Sequence, residues 1–128
     1  MRWIIDGNNV MGARPDGWWR DRAGASRALA ARVAAFAGAI GDPVELVFDG
    51  RPHELGLPPE SPLRVVFADR PGRNAADDVI AELVEAAREP AAVRVVTSDA
   101  ELAARVRAAG ADVEGAGAFR RRLDEVAG

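Results

Sequence analysis

With 128 residues and 48% hydrophobic content, the chain is long enough to bury a core as one domain, 1–128, without a disulfide or structural metal. The absence of cysteine excludes zinc–thiolate sites, thiol catalysis and a disulfide framework, and one histidine, His53, excludes a histidine-rich metal centre. A net charge of −3 argues on average against a nucleic-acid partner, although every one of the 17 basic residues is arginine, the better phosphate fork. An arginine-only, alanine-rich composition is also what a biased genome produces, so it carries little weight alone. No apolar stretch approaches the roughly 20 residues that span a bilayer. The opening Trp3-Ile4-Ile5 meets Asp6 at once, which is not a signal peptide. The expectation is a soluble, cytoplasmic protein.

Trp3-Ile4-Ile5, ending at Asp6-Gly7, reads as the first strand. Residues 11 to 24 carry Gly, Pro, Asp and Arg without a period and read as a loop. Apolar residues Ala28, Leu29, Ala31, Val33, Phe36, Ala37 and Ile40 fall at helical spacing and predict a helix from Ala25 to Ile40, stopped by Gly41-Asp42-Pro43. Val44 to Phe48 is the second strand, ending at Asp49-Gly50. The Pro- and Gly-rich residues 51 to 62 form a loop, and Leu63 to Phe67 is the third strand. After a loop over 69 to 74, a helix runs from Ala75 to Arg88 with Val79, Ile80, Leu83, Val84 and Ala87 on one face. Val93 to Val96 is the fourth strand, Ala100 to Ala109 a helix capped by Gly110, and Ala111 to Val113 a short fifth strand. Phe119, Leu123 and Val126 predict a closing helix. The first, second and fourth strands are largely continuous apolar runs, the pattern of strands covered on both faces. The fold class is therefore α/β, a three-layer α/β/α sandwich with a mainly parallel central sheet.

Three of these strands run into an acid: Asp6, Asp49 and Asp99, the last after Thr97-Ser98. Asp77 and Asp78 open the second long helix. In a parallel sheet the carboxyl ends of the strands share one edge, where ligands bind, so acids far apart in sequence converge. Clustered carboxylates stay ionised only beside a cation. The hard ions Mg²⁺ and Mn²⁺ take oxygen ligands and polarise phosphoryl oxygens. Each acid also has a bland reading. Asp-Gly after a strand is often a turn, Asp77 and Asp78 suit a helix start, and Ser98-Asp99 suits an N-cap. What raises the pattern above these is that one edge is chosen every time.

Ile4-Ile5-Asp6-Gly7-Asn8-Asn9-Val10 resembles the opening of NYN domains, specifically the YacP-like branch of the PIN-like ribonucleases. Val47-Phe48-Asp49-Gly50, Ala76-Asp77-Asp78-Val79-Ile80, Val95-Val96-Thr97-Ser98-Asp99 and the segment from Gly115 to Leu123 resemble the family's later motifs in order. The resemblance implies a PIN-like fold and endonucleolytic cleavage of single-stranded RNA with Mg²⁺ or Mn²⁺. It implies that Asp6, Asp77 and Asp99 bind metal. Asn9 would support the site or touch substrate, and Asp49 and Asp78 are further members of the metal set. The YacP-like branch also raises the ribosome as a partner, with mRNA as substrate. Asn8 departs from the family pattern, where an aromatic residue is common.

Arg14, Trp18, Trp19, Arg20 and Arg22 follow the first acid, and Arg51, Arg70 and Arg73 lie in loops bordering the same edge. Arginine pairs with phosphate and an aromatic face stacks on a splayed base, so these residues are candidates for holding RNA. The competing reading puts Trp18 and Trp19 in the core or a protein contact. His53 is set aside as a lone loop histidine. A haloacid-dehalogenase phosphatase, a receiver domain or a phosphate loop each needs a lysine, and the chain has none. The alternative in another class is a non-catalytic RNA- or protein-binding module of the same fold.

Overall fold

The computed structural model describes residues 1–13 and 17–127. Five strands, β1 (Arg2–Asp6), β2 (Val44–Asp49), β3 (Leu63–Ala68), β4 (Val93–Val96) and β5 (Asp112–Glu114), form one sheet in the order β3-β2-β1-β4-β5. Every pairing is parallel. The helices are α1 (Gly7–Gly12), α2 (Arg22–Ile40), α3 (Ala75–Glu85), α4 (Ala100–Ala108) and α5 (Ala116–Ala127).

Alternation along each strand sends side chains to two separate cores. Ile5, Leu46, Phe48 and Val96 pack with Val10, Leu29, Val33, Phe36, Phe119 and Leu123, under α1, α2 and α5. Ile4, Val47, Val93 and Val95 pack with Ile80, Val84, Leu102 and Val106, under α3 and α4. The three-layer α/β/α architecture is thus the expected one. Trp3, Phe36 and Phe119 interlock edge-to-face or tilted, with centroids 5.1 to 6.2 Å apart, and tie α2 and α5 to β1.

Several boundaries differ from expectation. Residues 11 to 24 are not one loop: they include the end of α1, a 3₁₀ turn at Trp18–Arg20 and the first turn of α2. Helix α1 has no apolar period and is rich in Gly and Asn; burial of Val10 and Met11 holds it. Helix α2 starts three residues early because the Asp21 side chain accepts the Gly24 N–H at 3.0 Å. Ala28 and Ile40 are exposed, and the buried stripe is Leu29, Ala30, Val33, Phe36 and Ala37. Helix α3 ends at Glu85, before the expected Arg88, and β5 is shifted one residue toward the C-terminus. Gly41 stops α2 with φ of 72°, a conformation that favours glycine. No helix is long and apolar enough to cross a membrane among the described residues.

Candidate active site

Strand β1 lies at the centre of the sheet, where the chain winds outward to β2 on one side and β4 on the other. A crevice forms outside the carboxyl ends of strands at such a reversal. Asp6 ends β1 there, 4% exposed. Gly7 follows at once as the first residue of α1, so Asp6-Gly7 is a strand-to-helix junction and not a turn. A Cβ at Gly7 would stand 2.6 Å from the Phe48 ring and 2.8 Å from the Val47 carbonyl, so only glycine fits.

Thr97, buried just past β4, donates its hydroxyl to Asp6 Oδ2 at 2.9 Å across 91 positions of sequence. The same oxygen, Thr97 Oγ1, accepts the Asp99 N–H at 3.1 Å. Asn9 accepts the Ser98 N–H on its Oδ1 at 2.8 Å, and Ser98 Oγ accepts the Ala116 N–H that starts α5. Asn8 accepts the Asp49 N–H at 2.8 Å, and Asp49 Oδ1 accepts the Ala76 N–H at 3.0 Å. The two asparagines thus fasten α1 to the ends of β4 and β2. Asn8 and Thr97 were not assigned these roles from sequence, since neither bond can be foreseen without the strand order.

Burial pushes the Asp6 carboxyl up to about 6; the Thr97 hydroxyl opposes the rise, Asp77 adds to it, the Asn9 backbone N–H opposes it and Asp49 adds to it. Asp77 is also raised, first by desolvation, then by Asp99 and Asp49, against a lowering by Arg105. The acids therefore feel one another across a shared rim. Asp6, Asp49 and Asp99 each give one oxygen to a protein donor. Asp6 also accepts the Asn9 backbone N–H, whereas the second oxygens of Asp49 and Asp99, and both of Asp77, meet no hydrogen-bond donor among the described residues. Asp99 is an N-cap as well as a rim acid, since its Oδ1 accepts from Glu101 and Leu102. Asp78 instead pairs with Arg105 at 2.9 Å.

This donor set suits a hard divalent cation: oxygen ligands only, mutually repelling, with lone pairs left over. No three acidic or histidine side chains are drawn together tightly enough to grip one ion by themselves among the described residues.

The RNA-binding candidates are spread more widely. Trp18 is half-buried against the α1/α2/α5 core with Arg22 5.3 Å over its ring, whereas Trp19 is 53% exposed with Arg20 6.0 Å from its centroid. Arg70 is held by Glu82 through two bonds of 2.9 and 3.0 Å. Arg51 and Arg73 are exposed. Arg14 lies outside the described residues.

Residues 3–128 match the model of the YacP-like NYN domain. The chain belongs to the YacP-like NYN family. It therefore carries a nuclease-type domain, in a group of nucleases that generally depend on divalent metal. Two crystal structures of Rae1 (YacP) from Bacillus subtilis superpose on it. One, of a tryptophan-to-leucine mutant, gives a TM-score of 0.78 at 24% identity over 98% of this chain and 77% of that one. The other gives 0.79 at 23% identity over 98% and 75%. At such identity the likeness establishes the PIN-like fold alone. No curated protein matches the chain.

Proposed function

We propose that this YacP-like NYN protein is a metal-dependent endoribonuclease that hydrolyses single-stranded RNA at the rim formed by Asp6, Asp77 and Asp99. The observation that carries the reading is the buried Asp6, raised to about 6 and facing acids rather than a basic partner. A fold gains no stability from that arrangement. A site for a cation does.

Asp6, Asp77 and Asp99 would hold Mg²⁺ or Mn²⁺, with Asp49 beside them and Asp78 contributing only if released from Arg105. A divalent cation so bound supplies Lewis acidity at a phosphoryl oxygen and charge neutralisation for in-line displacement by water. The protein's own part is positional. Thr97 fixes the Asp6 carboxylate and the Asp99 backbone through one hydroxyl. Asn9 acts as a positioning residue, keeping the β4–α4 segment against α1 through Ser98. Exposed Arg20, Arg51 and Arg73, with Trp19, would receive phosphates and bases of an unpaired strand. Ribosome-bound mRNA is a substrate that the family likeness suggests, and Rae1 (YacP) is the relative to compare.

The test is incubation of purified protein with an unstructured RNA in Mn²⁺, in Mg²⁺ and in chelator. Wild type should cut internally with metal and not with chelator, while Asp6→Asn and Asp77→Asn should not cut. Identical products from wild type and Asp6→Asn would defeat the nuclease reading in favour of a binding module.

A further inference from the structure

A cavity of about 360 Å³ opens beside the acidic rim, on the α1/α2 face. That lies within the roughly 300–1,000 Å³ of small-ligand pockets. Its buried lining includes Phe48 and Ser26, and its exposed lining includes Arg22 and His53. Asp49 lines it too, while its Oδ1 accepts from Ala76, the residue before Asp77. One side chain is thus common to the rim and the cavity.

The chemistry of the lining narrows the occupant. A phosphate or an acidic peptide is repelled by Asp49. A wholly apolar side chain would bury the Asn8 amide, whose nitrogen donates to nothing among the described residues. A nucleobase suits all of them: it is uncharged, flat and edged with donors and acceptors. The Arg22 Cζ lies over the Trp18 ring, 5.3 Å from its centroid, and the His53 ring centroid lies 5.4 Å from that of Phe67. Planar groups of both kinds stack on splayed-out RNA bases.

We infer that this cavity is a base-binding subsite, taking one unpaired nucleobase of the strand whose adjoining phosphate lies at the acidic rim. The inference rests on the nuclease reading above. It assigns His53 and Arg22 to stacking, and Asn8 and Asp49 to the base edge.

The single histidine provides a selective reporter. Asp6→Asn protein is titrated with a short unstructured oligoribonucleotide, and separately with an abasic sugar–phosphate oligomer of equal length, while the His53 ring signals are followed by NMR. The base-bearing RNA should shift them and the abasic chain should not. Ala23→Phe, which fills the cavity from the first turn of α2, should remove the shift and weaken RNA binding roughly tenfold. If that variant fails to fold, Arg22→Ala, at an exposed position, should weaken binding severalfold. His53 signals that stay fixed at saturating RNA, or that move equally with the abasic chain, would overturn the subsite. So would folded cavity variants that bind RNA like their parent, which would leave the cavity to a protein contact. Cleavage by wild type is scored separately. Base-dependent shifts without any cutting would sink the nuclease reading and keep the subsite.

Discussion

Two buried carboxylates on neighbouring strands of the sheet are treated in opposite ways. Glu45, on β2 beside Ile4, is 5% exposed and is flanked by Arg2 and Arg64. Asp6, at the end of β1, is 4% exposed and receives only neutral donors, the Thr97 hydroxyl and the Asn9 backbone N–H, with Asp77 and Asp49 as its charged neighbours. The wider surface follows the Glu45 pattern: Asp112 pairs with Arg94, Glu114 with Arg94 and Arg122, Asp124 with Arg32, and Glu82 with Arg70. At the rim no arginine bonds to Asp6, Asp49, Asp77 or Asp99 among the described residues. A buried acid matched by a cation from its own chain belongs to the architecture. One whose charged neighbours are all acids is what the proposed cation would complete.

The largest effect that would sharpen this contrast is on cleavage: Asp6→Asn and Asp77→Asn should each reduce it to background in a gel assay. Retained cutting by Asp6→Asn would break the contrast outright. Next comes pH. Because the folded Asp6 carboxyl titrates near 6 and the unfolded one near 3.8, the folded state binds more protons between those values. In chelator, stability should therefore fall as pH rises from about 4 to above 6, by up to about 3 kcal/mol. Asp6→Asn should flatten that slope and melt higher than wild type above pH 6. A smaller change is expected of Trp18→Ala, about 2 kcal/mol lost in urea denaturation because the ring is half-buried. Glu45→Gln should lose about 1 kcal/mol, opposite in sign to Asp6→Asn; Arg2 and Arg64 remain 30% and 70% exposed, which limits the cost. Trp19→Ala should shift stability by less than about 0.5 kcal/mol and act on RNA binding alone.

Much of this was legible in the sequence for identifiable reasons. Ile4-Ile5 and Val95-Val96 declared buried parallel strands because both faces of each are apolar, and the acids after β1, β2 and β4 then followed onto one edge. Helix α1 was not legible, since Gly7, Asn8 and Asn9 carry no helical preference and tertiary burial of Val10 and Met11 decides the outcome. Thr97 looked like any strand-end threonine; its bond to Asp6 depends on β4 lying next to β1, which only the strand order reveals. The fate of the two tryptophans was equally hidden. The rings of Trp18 and Trp19 meet edge to face, 6.2 Å between centroids, with the first packed on the core and the second 53% exposed. His53 and Arg22, separated in sequence, share a cavity because the loop after β2 returns over the start of α2.

The strand order β3-β2-β1-β4-β5 has a consequence for the order of events during synthesis. The first strand made is the middle one, and its partner on one side is not complete until Val96 has been added. Until then Asp6 lacks the threonine that fixes it, and the crevice has a single wall. A nascent or truncated chain ending short of that point holds only half of the sheet, and the acidic rim is assembled only once Thr97 and Asp99 have been added.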